Sequence, residues 1–233
     1  ATISSNINNT NFNNHNTALE QAVQMRQDVA LDSDIYPPPH GTFSLNAVFV
    51  TGATGFIGSF VLNYLLKDPA FENSNIYCLV RASDQHRALD RLKNTFAVHG
   101  LDAENLMGRV RAVAGDLEHR NFGLEDSVYD KLAQEIDVIF HIGAAVNHIL
   151  PYSKLKSANV DSVVEIIQFA CNKKLKLINF ASTLGVFSGK STVVKEDTDI
   201  ETNNLQAMGG YNQTKWVRFP NSDEISFTTS ANT

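Results

Sequence analysis

Apolar runs and amphipathic stretches alternate along the chain from residue 46 onwards. Five apolar runs have the length of β-strands, and they read AVFV, NIYCLVRA, RVRAVAGDL, DVIFHIGA and LKLINFAST. Helix-compatible stretches follow these runs, at residues 56–66, 84–100, 126–136, 152–174 and near the end of 205–217. Short apolar strands that alternate with helices are typical of a parallel sheet with right-handed crossovers. We therefore predict an α/β fold with a Rossmann-type, doubly wound parallel sheet.

Both ends of the chain lack this alternation. Residues 1–17 are rich in Asn, Ser and Thr and predict a disordered lead, and residues 218–233 predict an irregular polar tail. Residues 18–45 predict a linker helix that stops at the proline-rich connector YPPPHG. Residues 46–217 then form the predicted dinucleotide-binding domain. The candidate packing residues of the linker helix are Leu19, Val23, Met25 and Val29.

Composition and charge exclude several classes of protein. Hydrophobic residues make up 43% of the chain, enough for a globular core, and the formal net charge is −6. This charge argues against a general nucleic-acid or anionic-membrane binder. We see no membrane-spanning apolar run and no signal peptide, and the two unpaired cysteines make a reducing cytoplasm the simplest expected setting. Cys78 and Cys171 have no metal-ligand spacing and are expected to be ordinary buried thiols.

Three glycines follow the first predicted strand, in the segment VFVTGATGFIG. Gly52 would permit a tight turn, Gly55 a close approach of the backbone to a pyrophosphate, and Gly58 close packing of the helix on the strand. The free amides and the dipole of the helix would then face the phosphates. The alternative is a glycine-rich turn that binds nothing. The predicted binding residues here are Thr51, Gly52, Thr54, Gly55, Phe56, Ile57 and Gly58.

The second predicted strand indicates which dinucleotide binds. NAD-binding domains usually have an acidic residue at the end of this strand, where it holds the ribose 2′-hydroxyl. This chain has Arg81 there, and Arg91 lies on the next helix. A guanidinium group offers a planar cationic fork to a 2′-phosphate. We therefore predict NADP(H), while Arg91 could instead be a solvated charge on the helix face.

A tyrosine and a lysine occur with YxxxK spacing in GYNQTKW. Residues four apart lie on one face of a helix, so Lys215 is expected to lower the pKa of Tyr211. Tyr211 could then donate a proton to a substrate oxygen as hydride arrives. Ser182 and Thr183 follow the fifth predicted strand and offer a hydroxyl to the same oxygen.

The TGxxGxxG pattern together with YxxxK resembles the extended branch of the short-chain dehydrogenase/reductase superfamily. The resemblance implies that Thr183 is the catalytic hydroxyl, with Ser182 as the fallback. It also implies that Tyr211 and Lys215 belong to the cofactor-binding residues, with Lys215 contacting the nicotinamide ribose. It relates Asn159 to an asparagine that supports a proton-relay water, although Ser162 and Val163 replace the Gly-Thr that follows in the family pattern.

The same resemblance extends the cofactor site to the third and fourth strands. It implies that Asp116 contacts the adenine amino group, with Leu117 beside it, and that Gly143, Ala144 and Ala145 let the backbone pass the ribose. His141 and His148 have no third ligand at a sensible spacing, so we expect structural roles for them and no metal site.

Longer segments narrow the resemblance to thioester reductase domains of carboxylic acid reductases, nonribosomal peptide synthetases and aminoadipate reductases. The segments are QMRQDVALDSDI, LVRASDQHRALDRLKNTF, VNHILPYSKLKSANVDSVVEIIQFA and GYNQTKWV, and the similarity covers residues 20–217. It implies that NADPH reduces an acyl thioester to an aldehyde, with a second reduction to an alcohol left open. The implied partner is an acyl or peptidyl carrier domain with phosphopantetheine-bound substrate, within a multidomain protein.

One departure from these domains concerns the end of the chain. They continue after YxxxK with a C-terminal substrate lobe, whereas this chain ends at Thr233, so we expect the lobe to be missing or truncated. Two alternative functions stay open. One is an extended-family enzyme that acts on a nucleotide sugar or another small carbonyl compound, and the other is a non-catalytic NADP-binding fragment.

Overall fold

A computed structural model describes residues 20–31, 35, 38, 45–102, 106–187, 194–195, 198 and 205–218 of the chain. The predicted lead, most of the proline-rich connector and the predicted tail beyond residue 218 lie outside the described residues. The boundaries predicted for these segments and for the main domain therefore stay predictions.

The fold is built on a five-stranded parallel sheet. Its strands are β1 (Ala47–Thr51), β2 (Asn75–Val80), β3 (Val110–Ala114), β4 (Val138–His141) and β5 (Leu177–Phe180). Their order across the sheet is β3-β2-β1-β4-β5, and each neighbouring pair is parallel. The chain thus winds outwards from β1 in both directions, which confirms the predicted doubly wound α/β fold. The order reverses between β1 and β4, and ligands of such sheets bind beyond the carboxyl ends of the strands at this point.

Helices precede, connect and follow the strands at the predicted places, apart from α4 (Leu106–Arg109), which was not predicted and which includes Arg109, the first residue of the predicted third strand. They are α1 (residues 20–29), α2 (Phe56–Lys67), α3 (Gln85–Val98), α4 (Leu106–Arg109), α5 (Asp126–Glu135), α6 (Tyr152–Lys156), α7 (Ser162–Cys171) and α8 (Gly210–Val217). Short 3₁₀ segments add Pro69–Phe71, Arg120–Gly123, Leu184–Phe187 and Leu205–Ala207.

The long helix predicted over residues 152–174 differs from the structure in two respects. A π-helical segment, Ser157–Asp161, separates α6 from α7, and it holds the buried Asn159. Helix α7 ends at Cys171, and Lys173 beyond it has a left-handed φ of 62°. Apolar periodicity cannot resolve one extra residue in a single turn, so the sequence predicted an uninterrupted helix.

Alternate residues of β1 enter two apolar clusters, one on each face of the sheet. Val48 and Val50 belong to the first cluster, which includes Leu62 of α2 and Leu92 of α3. In the second cluster, the Phe49 ring lies 5.6 Å from Phe122 and 5.2 Å from Phe169, measured between ring centroids. Both faces of the central strand are therefore buried, as is usual in a parallel sheet.

The chain forms two compact units. The first, which we call the sheet unit, comprises Leu31–Val146 and Leu155–Ala181. The second, which we call the helical unit, comprises Ala1–Ala30, Asn147–Lys154 and Ser182–Thr233. None of the described helices combines the length and the hydrophobicity needed to cross a bilayer.

Candidate active site

The glycine turn of the sheet unit lies between β1 and α2, where the sequence predicts it. Gly52 has a left-handed φ of 74°, and a Cβ atom on it would lie 2.6 Å from the backbone nitrogen of Gly143. A Cβ atom on Gly58 would lie 2.0 Å from the carbonyl oxygen of Gly52. Both positions therefore require glycine, one for its backbone conformation and both for close backbone packing.

The start of α2 has free hydrogen-bond donors. Gly55 is the N-cap residue and supplies no side-chain cap, and the first amides of a helix have no acceptor within the helix. Phe56 and Ile57, the first two helical residues, are 67% and 62% exposed, and Thr54 precedes them in the turn. Because the helix dipole is positive at this end, the turn fits a pyrophosphate.

The Thr51 hydroxyl connects the ends of the two central strands. Its Oγ1 atom lies 2.8 Å from Nδ1 of His141 and accepts a 3.1 Å hydrogen bond from the Gly143 amide. The His141 ring also stacks on Phe180, at 5.6 Å between centroids and 15° between planes. The buried Thr51 and His141 thus fix the backbone of the turn, and His141 has structural partners.

The segment after β4 is held by a leucine and by an asparagine. A Cβ atom on Gly143 would lie 2.6 Å from Cδ1 of Leu117, so Leu117 lies directly on this glycine. The Ala145 amide donates to Oδ1 of Asn159 at 2.7 Å, and Nδ2 of Asn159 donates to the Ala145 carbonyl at 3.0 Å. Asn159 thus fixes the backbone just beyond Gly143 and Ala144, a contact that the sequence resemblance did not indicate.

Asp116 lies in a tight turn after β3. Its amide donates to the Phe122 carbonyl at 2.8 Å, and its Oδ1 accepts from the Glu118 amide at 3.1 Å. A Cβ atom on Gly115 would lie 2.6 Å from the same Phe122 carbonyl oxygen, so only glycine fits before Asp116. Phe122 and Asn121 adopt left-handed φ values of 59° and 52°, which the sequence did not reveal.

Arg81 follows β2 and carries an exposed guanidinium group. The Arg81 Nη1 atom lies 3.8 Å from Oε1 of Glu118, and its side chain is 72% exposed. Arg91 on α3 donates from Nη1 to the Arg81 carbonyl, so the two predicted arginines do meet. An exposed ion pair contributes only about 0–1 kcal/mol, so Arg81 can readily exchange Glu118 for another anion. The sequence reasoning missed Glu118.

Tyr211 and Lys215 lie in the helical unit, one turn apart on α8. Lys215 is 2% exposed, and burial lowers its pKa to about 8. Burial also raises the pKa of Tyr211, whereas the sequence argument expected the neighbouring ammonium to lower it. Loss of hydration disfavours the charged form of both groups, and the structure makes this the decisive effect.

Thr183 directly precedes the 3₁₀ segment Leu184–Phe187 in the helical unit. Its Oγ1 accepts a 3.2 Å hydrogen bond from the Gly185 amide, whereas Ser182 is exposed. This bond uses an oxygen lone pair and leaves the hydroxyl proton for donation. Thr183 is therefore the better oriented of the two hydroxyls.

The loop before α6 packs on the start of α8. The His148 ring lies edge-on to the Tyr211 ring, with centroids 5.7 Å apart and an interplanar angle of 80°. Asn147 shapes this loop, since its Oδ1 accepts a 2.9 Å bond from the Leu150 amide. A Cβ atom on Gly210 would lie 2.3 Å from the Leu150 carbonyl oxygen, so this approach requires glycine.

The predicted linker helix, α1, is part of the helical unit. Nε2 of Gln21 donates to Oε1 of Gln213 on α8 at 3.0 Å, and the Tyr152 hydroxyl donates to Oδ2 of Asp28 at 2.5 Å. Met25 lies between Gln21 and Asp28 on the same face of α1 and is 1% exposed. The helix therefore contacts the element that carries the tyrosine and the lysine.

Both cysteines are at least partly buried. Cys78 is buried, Cys171 is partly buried, and burial raises the pKa of both thiols. Within the described ranges, no group of three or more His, Cys, Asp or Glu side chains is placed to hold a metal ion.

Comparisons with curated proteins place the chain among reductases. It is 40% identical over 210 residues to a linear gramicidin synthase polypeptide of Brevibacillus parabrevis, covering 86% of this chain and 4% of that protein. It is 38% identical over 185 residues to the L-2-aminoadipate reductase large subunit of Candida glabrata, covering 73% of this chain and 13% of that protein. The match thus spans only a small part of either relative.

Solved structures agree. The terminal R domain from the myxalamid PKS-NRPS biosynthetic pathway is 34% identical with a TM-score of 0.76, covering 84% of this chain and 50% of that one. The reductase domain of a nonribosomal peptide synthetase from Mycobacterium tuberculosis is 31% identical with a TM-score of 0.63, covering 84% of this chain and 46% of that one. The chain therefore spans about half the length of these solved domains.

The family model described as male sterility protein, an NAD-binding domain, matches residues 50–218. This range begins at the end of β1 and includes the glycine turn, Arg81, Thr183 and all of α8. The chain therefore belongs to the male sterility protein family of NAD(P)-dependent reductases, together with the reductase domains of nonribosomal peptide synthetases and the aminoadipate reductases.

Proposed function

We propose that this chain is the NADP(H)-binding and catalytic part of a reductase that releases a carrier-bound acyl thioester as an aldehyde. The observation that carries the proposal is the arrangement within the helical unit. Lys215 is buried one turn after Tyr211 on α8, and the Thr183 hydroxyl is oriented by the Gly185 amide. This set of groups suits the reduction of a carbonyl carbon.

The sheet unit fits a dinucleotide. Gly52, Gly58 and Gly143 leave a backbone surface that any Cβ atom would obstruct, and the first amides of α2 are open to a pyrophosphate. Asp116 and Leu117 would hold the adenine side, and Gly143, Ala144 and Ala145 would lie along the ribose. When bound, NADPH supplies a hydride to the carbonyl carbon of the substrate.

Arg81 and Arg91 would select the phosphorylated cofactor, with Arg81 as the direct contact. We expect Arg81→Ala to raise the Kd of NADPH at least about tenfold and to change the Kd of NADH little, since a charge-assisted bond to the 2′-phosphate is lost. Titration of each cofactor by fluorescence measures both constants. Arg87→Ala is the matched control, because Arg87 is also exposed but pairs with Asp84, the N-cap residue of its own helix. Equal weakening of NADPH and NADH would contradict the assignment.

The residues of the helical unit would act on the carbonyl oxygen. Thr183 and Tyr211 would donate hydrogen bonds to it, and these bonds strengthen as negative charge develops there. The raised pKa of Tyr211 keeps the phenol protonated, as a proton donor must be. Lys215 would compensate the charge that Tyr211 acquires when its proton moves to the oxygen.

Collapse of the reduced adduct completes the proposed release. The substrate is then a hemithioacetal, whose hydroxyl group gives up its proton while its carbon–sulfur bond breaks and the carbonyl forms again. The thiolate leaves with the carrier arm and takes up a proton, and the acyl group leaves as an aldehyde. A carrier domain is accordingly the proposed partner, as part of a larger protein. A second reduction of the aldehyde to an alcohol would use the same groups.

An NADPH oxidation assay tests the proposal. We expect turnover with a phosphopantetheine-linked acyl thioester and none with a nucleotide sugar, with the aldehyde trapped as its hydrazone. Tyr211→Phe should lower kcat by about 10²–10⁴-fold, since it removes the acid, and should leave the Kd of NADPH unchanged. Tyr64→Phe is the control, because Tyr64 is an exposed tyrosine of α2.

The same assay separates the alternatives. Turnover of the nucleotide sugar in place of the thioester would favour an extended-family enzyme for small carbonyl compounds. Tight NADPH binding without turnover of either substrate would favour a non-catalytic binding fragment. Full activity of Tyr211→Phe would refute the acid role of this tyrosine.

A further inference from the structure

The turn that carries Thr183 packs against α8 at a glycine. A Cβ atom on Gly185 would lie 2.3 Å from Oδ1, 2.5 Å from Cγ and 2.7 Å from Nδ2 of Asn212. The whole amide group of Asn212 therefore occupies the space in which any side chain at position 185 would begin. Contacts this short do not occur between real Cβ atoms and their neighbours, so a side chain at position 185 requires the Asn212 amide group to move.

Each member of this pair is tied to a proposed catalytic residue. The Gly185 amide donates to Oγ1 of Thr183 at 3.2 Å. Asn212 directly follows Tyr211 in the first turn of α8. The Thr214 hydroxyl donates a 2.7 Å hydrogen bond to the Tyr211 carbonyl in the same turn. The contact between Gly185 and Asn212 thus joins the segment that holds the Thr183 hydroxyl to the segment that holds the Tyr211 phenol.

We propose that Gly185 and Asn212 are positioning residues that set the distance between the Thr183 and Tyr211 hydroxyl groups. The inference rests on the proposed function and adds to it two residues that need not touch the substrate. Two donors serve one carbonyl oxygen only if both reach it at about 2.7–3.1 Å. A misplacement of about 1 Å is enough to lower a rate about 100-fold.

Alanine at position 185 isolates this contact. The φ of Gly185 lies outside the left-handed region, so its backbone conformation is open to other residues. The added methyl group therefore acts through Asn212, which must move, and not through backbone strain. Gly108 on α4 provides the control, because nothing lies within 4 Å of a Cβ atom built there.

A double-mutant cycle on the purified protein tests the proposal. We expect Gly185→Ala to lower kcat about 10–100-fold and to leave the Kd of NADPH unchanged. Asn212→Ala should lower kcat several-fold, and the double variant should return to the level of Asn212→Ala, because the obstructing amide is gone. Gly108→Ala should behave as the wild type. Each variant is assayed with an acyl thioester and with a small aldehyde, and its Tm is measured in parallel.

The outcomes separate this inference from the proposed function. Turnover by the wild-type protein supports the proposed function. In that case the inference is overturned if Gly185→Ala has the kcat of the wild type. It is also overturned if the factor by which kcat falls in the double variant is the product of the factors in the two single variants. A wild-type protein that reduces neither substrate counts against the proposed function and against a catalytic role for this pair. In that case the Tm values of the four proteins test the contact between Gly185 and Asn212. Gly185→Ala should lower Tm, and adding Asn212→Ala should restore it.

Discussion

Lys215 is a buried cation whose proton is lost more easily than that of an ordinary lysine. Burial lowers its pKa to about 8 in the folded chain, from a usual value near 10.4. The unfolded chain therefore binds more protons between about pH 8 and 10.5, and the free energy of unfolding rises with pH across this range. Below about pH 8 both states are protonated, and the full cost of burying the charge remains.

The same titration predicts how the rate depends on pH. We expect kcat/KM for the thioester to fall as pH rises through about 8, by about tenfold per unit further on, because the ammonium of Lys215 disappears. Initial rates between about pH 6 and 10 measure this limb. Lys176→Gln is the control: Lys176 is a second buried lysine, with a pKa lowered by burial to about 7, but it lies in the sheet unit and bonds the Asn172 and Lys174 carbonyls. If the alkaline fall in rate shifts in Lys176→Gln, the assignment of this fall to the titration of Lys215 is contradicted.

For individual residues, the sequence predicted the structural roles that depend on residues nearby in the chain. The spacing of Gly52, Gly55 and Gly58 after an apolar strand was enough to locate the turn, because all three lie in one local motif. Gly115 and Gly185 carried no such signal. Gly115 faces the Phe122 carbonyl and Gly185 faces the Asn212 side-chain amide, and only the folded chain brings these groups within 3 Å of a Cβ atom built at either glycine.

At the scale of elements, helix α1 was predicted from the sequence, but its buried face was predicted only in part. Four residues were candidates for its packing face, and the structure buries Met25 to 1% exposure while Val23 stays 50% exposed. Leu19 lies outside the described residues, and Val29 is of intermediate exposure. A ten-residue helix with few apolar residues does not reveal its buried face, because the choice depends on Gln213, 192 residues away from Gln21.

We predict that this helix stabilises the helical unit through Met25. Met25→Ala should lower the free energy of unfolding by about 2–5 kcal/mol, since it removes a buried side chain and leaves a cavity. Chemical denaturation followed by circular dichroism measures the change. Val23→Ala on the exposed side of α1 is the control and should shift stability by less than about 0.5 kcal/mol. Equal effects of the two substitutions would contradict the docking of α1.

The π-helical segment is the other element that the sequence could not predict. It places Asn159 where its amide bonds both backbone groups of Ala145. Both the apolar periodicity and the residue types of SANVD are compatible with an ordinary α-helix. Only the partner segment after β4 makes the wider turn favourable.

At the scale of the whole molecule, the sheet unit exposes a largely apolar cleft of about 730 Å³. Phe56, Phe60 and Tyr64 line it along one face of α2, with Phe140 of β4 and Phe180 of β5. These three α2 side chains are 67%, 42% and 63% exposed. In the described part of the chain, β5 has a paired neighbour on one side only. Exposed apolar patches of this kind mark interaction surfaces or sites of self-association.

This surface predicts the solution behaviour of the 233-residue chain. We expect it to bind the dye ANS and to self-associate with rising concentration, and Phe60→Lys with Tyr64→Lys should lower the dye fluorescence several-fold. Sedimentation velocity measures the association. Val98→Lys serves as the control, since Val98 is 80% exposed on α3 and outside the cleft. Dye binding that is equal in all three proteins would rule out the cleft as the source.

The division into two units also sets the order in which the molecule can form. The sheet unit is nearly continuous in the chain, whereas the helical unit gathers residues from three separate stretches. The bond between Gln21 and Gln213 closes a loop of 192 residues, and we expect it to form late, because the entropy of loop closure opposes it. During synthesis, β1 to β5 leave the ribosome before α8 does, so the surface proposed to bind the cofactor precedes the one proposed to donate the proton. A chain interrupted before residue 211 would therefore contain the proposed nucleotide site and lack the proposed acid.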